Sequence, residues 1–211
     1  GTGPGGRILD SNVLAHFERM NSIRPSAAAV REVPHSSMRR TIAQRMSLSH
    51  HSTVPVTIMM DVRMDEAVRL REQINEALQS ERFRLPYDAM FVKASALALW
   101  RHPVMQAQWN EEKLMIPENV HIGVAVSLPS GLIVPVVRYA NIKSLISVGK
   151  EIVRLTESAR NGKLSPTDVS GGTFTISNLG MYPVTGFTPV INPPEGAILG
   201  IGATRKRPVA Y

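Results

Sequence analysis

The chain has 211 residues, 43% of them hydrophobic, a length and composition suited to one sizeable domain with a real core. The absence of cysteine excludes disulfides, a thiol nucleophile and cysteine-based zinc or iron–sulfur sites. A net charge of +7 admits nucleic acid as a partner, but there is no long Lys/Arg run and an aromatic content of 5% leaves few platforms for base stacking, so nucleic acid is not expected.

The first residues, GTGPGG, satisfy G-x-G-x-x-G formally, but no strand precedes them and no acidic residue follows in a βαβ unit, so they are no dinucleotide fingerprint. Asp10 or Ser11 is placed to cap a short helix over Asn12–Met20, with Val13, Leu14 and Phe17 on its apolar face. Residues 21–32, with Pro25 and an alanine patch, read as a linker. Ser36 or Ser37 then caps a helix to about Ser49, with Met38, Ile42, Arg45 and Met46 near one face and Arg39, Arg40 and Arg45 making it basic. VPVTIMMDVR, Val54–Arg63, alternates as a strand. Asp65 is expected to cap a helix to about Ser80. A second helix, Asp88–Arg101, has apolar residues (Met90, Phe91, Ala94, Leu97, Ala98, Trp100) around most of its circumference and should be largely buried.

Two hairpins follow. One joins Gln106–Trp109 to Lys113–Ile116, and the other joins His121–Leu128 to Leu132–Arg138, whose nearly continuous apolar character predicts burial on both faces. Ser144 caps a helix to about Asn161, ended by Gly162, and Ser165-Pro166 opens a turn. The longest apolar runs are too short to cross a bilayer and the first residues carry no signal-peptide pattern, so a membrane is not expected. Six histidines show no metal-ligand spacing; His50 and His51 point about 100° apart on a helix, so no metal is expected.

The stretch Ser170–Gly202 carries the chemistry. TFTIS alternates hydroxyl and apolar residues, placing Phe174 and Ile176 on one sheet face, and Ala197–Ile201 is a second β-rich run. Ser177 and Asn178 end the first strand at a turn closed by Gly180. A short hydroxyl at a strand end can donate to an oxygen that becomes negative during acyl transfer. It can also simply cap its own turn. Helices and strands intermix without a regular βαβ period, which predicts an α/β or α+β two-layer sandwich with a mixed sheet.

FTISNLG followed by FTPVINPPEGAILGIG closely resembles the catalytic domain of the dihydrolipoamide acyltransferases, the core subunits of 2-oxoacid dehydrogenase complexes. PHSSMRRTIAQRM at 34–46, GLIVPVVR at 131–138 and GKLSPTDVSGG at 162–172 extend the resemblance, in the family's order, across residues 33–211. It implies a chloramphenicol-acetyltransferase-like fold built as trimers, or multiples of trimers, with active sites between subunits. It implies coenzyme A as a substrate, a lipoyl group on another domain or protein, and other subunits of such a complex or a carrier protein as partners. It implies that Ser177 stabilises the oxyanion, and that Asn178, Gly180, Arg39, Arg40 and Arg45 belong to the substrate and coenzyme A channel. The family's base is the His of a His-x-x-x-Asp-Gly motif, and no histidine here begins one. Either the sequence stops short of that motif, making 33–211 a catalytic domain truncated at its C-terminus, or this homologue lacks the base; were it to work without one, His121 is the first histidine to examine. Residues 1–20 resemble part of the family's peripheral-subunit-binding domain. The leading expectation is an acyltransferase of the bacterial cytoplasm, or of the mitochondrial matrix in a eukaryote. The alternatives are a free-standing relative that O-acylates a small molecule and a non-catalytic trimeric scaffold.

Overall fold

The computed structural model describes residues 1–22 and 31–208, so part of the expected linker lies outside the described residues. The chain divides into two compact units, Gly1–His35 and Ser36–Tyr211. In the first, helix α1 spans Asp10–Ser22, longer at both ends than expected. Its start is closed by Asn12, not by Asp10 or Ser11: Asn12 Oδ1 accepts from the backbone N–H groups of Thr2 and Leu9, each at 3.0 Å. Val13, Leu14, Phe17 and Met20 are exposed.

The second unit begins with α2, Ser37–Ser52, whose N-cap is Ser36, accepting from Arg39 N. Residues 54–63 are not a strand. No strand pairing forms there among the described residues, although Arg63 pairs with Asp65 and Asp61 with Arg207, and Val54, Val56, Ile58, Met60 and Val62 are exposed. Alternation supplies the pattern of a strand, but a strand exists only where a neighbour takes its backbone bonds. Helix α3, Asp65–Ala77, ends earlier than expected, and no side chain caps its start, so Asp65 does not cap it. Helix α4 spans Tyr87–Arg101. It buries only one stripe, Ala89, Val92, Ala96 and Leu99, at the i, i+3, i+7 spacing of a single face. Leu97, Ala98 and Trp100 are exposed, contrary to the expectation of near-complete burial.

The first hairpin forms from β1, Gln108–Trp109, and β2, Leu114–Met115. The second is split. Strands β3, Ile122–Val124, and β6, Val136–Val137, pair at the base, while β4, Val126–Leu128, and β5, Gly131–Ile133, pair beyond. Only the base is buried throughout; β4 and β5 leave Ser127 and Leu132 exposed, so burial on both faces holds for half the hairpin. Helix α5, Leu145–Arg160, is capped by Ser144 and stops at Gly162, whose φ of 65° suits glycine. Strand β7 is Phe174–Asn178 and β8 is Ile198–Ile201.

The central sheet runs β6-β3-β7-β8, with β6 antiparallel to β3 and the remaining pairs parallel, a mixed sheet as expected. Ile122, Val124, Phe174 and Ile176 point to its inner face, into one cluster with Val92, Ala96 and Leu99 of α4 and Val148, Ile152 and Leu155 of α5. Each fully buried aliphatic side chain there contributes about 2 kcal/mol.

Candidate active site

Period-2 alternation puts Thr175 and Ser177 on the outer face of the sheet, opposite that core. Glycines stand in register with both, Gly123 of β3 with Thr175 and Gly200 of β8 with Ser177, while Ile198 of β8 flanks Thr175 on its other side. The glycines let side chains of other segments approach the sheet. A Cβ on Gly200 would meet Pro189 Cδ at 3.1 Å and Phe187 Cζ at 3.2 Å, and one on Gly123 would meet Val134 Cγ1 at 2.6 Å. The 185–196 loop therefore lies against the outer face beside Ser177 because the sheet offers no side chain there.

Ser177 is half-buried, and its hydroxyl makes no hydrogen bond among the described residues. It does not cap the turn. Asn178 does: its Oδ1 accepts from Gly180 N at 2.7 Å, and its Nδ2 donates to Asp88 Oδ1 at 2.6 Å. Leu179 N donates to Ile201 O, fixing the chain just past the strand. Ser177 is thus an uncommitted donor on a backbone held from both sides, which is what oxyanion stabilisation demands.

Glu195 of the same outer-face loop is 5% exposed. Its Oε1 accepts from Asn192 Nδ2 at 3.2 Å. Thr175 lies close enough to favour the ionised carboxyl, yet neither Thr175 Oγ1 nor Glu195 Oε2 completes a hydrogen bond of good geometry among the described residues. Burial outweighs both helpers and raises the Glu195 carboxyl above the usual carboxylate range.

A groove of about 410 Å³ opens at the C-terminal ends of β3 and β7, lined by Asp88, Ala125, Ser127, Arg160 and Tyr182 among others. Ser177 is not among its lining residues, but Asp88, the partner of Asn178, is. A larger open depression of about 650 Å³, between α3 and residues 79–84, shares no residue with this end of the sheet.

Within one chain His121 stands at the opposite end of the sheet from Ser177, and one of its ring nitrogens is already engaged. Ile122 registers with Phe174, so His121 is offset from Ser177 by four residues, about 13 Å along the strand. Its Nδ1 accepts from the backbone N–H of Tyr139 at 3.0 Å, which leaves the proton of the neutral ring on Nε2. Burial, then the charges of Arg138 and Lys143, hold its pKa below the ordinary value. Arg39, Arg40 and Arg45 are exposed on α2, and their side chains make no ion pair or hydrogen bond among the described residues; Met38 and Ile42 of that helix instead pack beside Gly131. The structure therefore brings Ser177, Asn178 and Gly180 together and leaves the three arginines on a free helix surface. Asp88 carried no sequence signal, because an acidic residue in a first helical turn is ordinary. No group of three or more potential metal ligands occurs among the described residues, and no helix among them is long and apolar enough to cross a membrane.

A helix-covered mixed sheet with an unengaged serine at a strand end defines a two-layer α/β domain suited to acyl transfer. The family described as 2-oxoacid dehydrogenases acyltransferase (catalytic domain) matches residues 27–211, and the chain belongs to that family. It is 37% identical, over 99% of its length and 54% of the relative's, to the dihydrolipoyllysine-residue acetyltransferase component of an acetoin cleaving system of Bacillus subtilis. Among solved structures it resembles a probable dihydrolipoamide acetyltransferase from Listeria monocytogenes, with a TM-score of 0.83, 35% identity, and coverage of 88% of this chain and 80% of that one. It also resembles the cubic core of a pyruvate dehydrogenase multienzyme complex, with a TM-score of 0.84, 30% identity, and coverage of 98% and 81%. The fold is the chloramphenicol-acetyltransferase-like one expected. The chain spans about half the length of the curated relatives it matches.

Proposed function

We propose that this chain is the catalytic core of a dihydrolipoamide acyltransferase, passing an acyl group between coenzyme A and a dihydrolipoyl thiol. The observation that carries the reading is the free hydroxyl of Ser177, held at the end of β7 by bonds that involve only its neighbours.

In the reaction, a base takes the proton of the attacking thiol and its sulfur bonds to the thioester carbon. The carbonyl oxygen becomes an oxyanion, to which Ser177 Oγ donates. The carbonyl re-forms as the bond to the departing sulfur breaks, and that thiolate recovers the proton from the base. Loss of one such donor costs about 100-fold to 1000-fold in rate. In this reading a histidine in a His-x-x-x-Asp-Gly motif supplies the base in preference to His121, whose Nδ1 is held by Tyr139 N. Arg39, Arg40 and Arg45 have the charge to meet coenzyme A phosphates from α2. The likeness to a cubic core supports assembly in trimers or multiples of trimers, with other subunits of a 2-oxoacid dehydrogenase complex as partners. Relatives include a component of a mitochondrial complex and one of a bacterial system, which supports the matrix or the bacterial cytoplasm as the setting.

The test is acyl transfer by the complete protein from acetyl-CoA and longer acyl-CoAs to dihydrolipoamide, read as loss of thioester and release of free coenzyme A. Saturable transfer to the dithiol is expected. Transfer to small alcohols with none to the dithiol would replace this reading with an O-acyltransferase, and no transfer to any acceptor would leave a scaffold.

A further inference from the structure

The end of β7 is held through one side chain that bridges two elements. Asn178 follows Ser177 and, by alternation, points to the inner face while Ser177 points outward. Its amide nitrogen donates to Asp88 Oδ1 at 2.6 Å, and its amide oxygen accepts from Gly180 N at 2.7 Å. Asp88 sits in the first turn of α4, where the helix dipole favours an anion. A charge-assisted bond to an ionised acceptor is about twice as strong as a neutral one. Helix α4 is itself rooted in the core through Ala89 and Val92, both fully buried. The chain of contacts therefore runs from the core, through Asp88, to the amide of Asn178 and into the turn that fixes the Ser177 backbone.

We propose that Asp88 is a positioning residue for acyl transfer: through Asn178 it fixes the strand end that aims the Ser177 hydroxyl. This rests on the assignment of Ser177 above. Asp88 also lines the groove beside Tyr182 and Arg160, so a direct substrate contact is the competing role. The two differ in kinetics. A residue that aims a transition-state donor changes kcat, whereas a residue that only binds substrate changes KM.

The experiment uses the complete protein and measures kcat and KM for acyl transfer to dihydrolipoamide, with melting temperature and sedimentation as checks on fold and assembly. Asp88→Ala is expected to lower kcat by about 10-fold to 100-fold, the scale of a small misplacement of a reacting group, with KM within about twofold. Asp88→Asn keeps an oxygen acceptor and should recover most of that loss. Asn178→Asp sets two carboxylates against one another, so its kcat should fall and recover as the pH is lowered and one carboxylate takes up a proton. Asp88→Asn combined with Asn178→Asp reverses the polarity of the bridge and should work better than Asn178→Asp alone. The proposal is overturned by an Asp88→Ala enzyme with unchanged kcat, by one whose KM alone rises, or by a double variant no better than Asn178→Asp. If Asp88→Ala does not fold, the pH recovery and the exchanged pair decide the matter. Ser177→Ala is measured alongside: unchanged turnover there overturns the serine assignment and this inference together, whereas a slow Ser177→Ala beside a fast Asp88→Ala overturns this inference only.

Discussion

The two faces of the central sheet are built from the same strands but to opposite rules. The inner face is large and apolar, with Ile122, Val124, Phe174 and Ile176 buried against α4 and α5. The outer face is mixed, with Val136 and Ile198 at its flanks but Gly123, Thr175, Ser177 and Gly200 giving a small, polar patch under close-lying side chains at its middle. Residues one position apart in β7 thus serve different ends: Ile176 holds the domain together, and the Ser177 hydroxyl makes no hydrogen bond among the described residues. Substitutions on the inner face should appear as stability and those on the outer face as turnover.

The largest stability effect expected is on the inner face. Ile176→Ala removes a fully buried side chain and should cost about 2–5 kcal/mol in chemical denaturation, with normal turnover per folded molecule. Gly200→Val tests the outer face by filling it. Pro189 and Phe187 would have to give way, at about 1–3 kcal/mol, and turnover should drop further than stability because the displaced loop lies beside Ser177. Asp168, in the capping box that leads into β7, belongs to neither face and provides a control. Hydrogen bonds from Ser165, with help from Arg154, pull its pKa to about 2. Its contribution is therefore present above its ordinary value and lost as pH falls toward about 2. Asp168→Ala should cost about 1 kcal/mol at neutral pH and leave turnover alone. The smallest effect is of opposite sign. The carboxyl of Glu195 is raised by burial, so the folded state favours its protonated form and loses stability as pH rises through the folded pKa. Glu195→Gln removes that loss: its melting temperature should equal or exceed the wild type at pH 7, and the advantage should shrink toward about pH 4, where the unfolded carboxyl also takes up its proton.

Much of this contrast was legible in the residues. TFTISN announced a strand with two unlike faces, and Ser36, Ser144 and Gly162 marked helix ends where the structure has them. What escaped was whatever depends on a partner distant in sequence. Residues 54–63 have strand alternation but no strand pairing among the described residues, and α4 looked apolar all round while only one stripe of it is fully buried. The serine itself was visible by its motif, but its freedom from the turn was not, because Asn178 takes the capping role only once Asp88, 90 positions earlier, is brought alongside. The arginines of α2 were legible as charge alone, and no contact of theirs distinguishes a channel from a solvated face.

The most direct measurement compares Ser177→Ala with the wild type in the complete protein, recording turnover and melting temperature on the same samples. Turnover should fall by about 100-fold or more, because a transition-state contact is lost, while the melting temperature and assembly stay unchanged, because the hydroxyl makes no hydrogen bond among the described residues. A lowered melting temperature with turnover per folded site intact would show instead that Ser177 is a structural residue of the strand end.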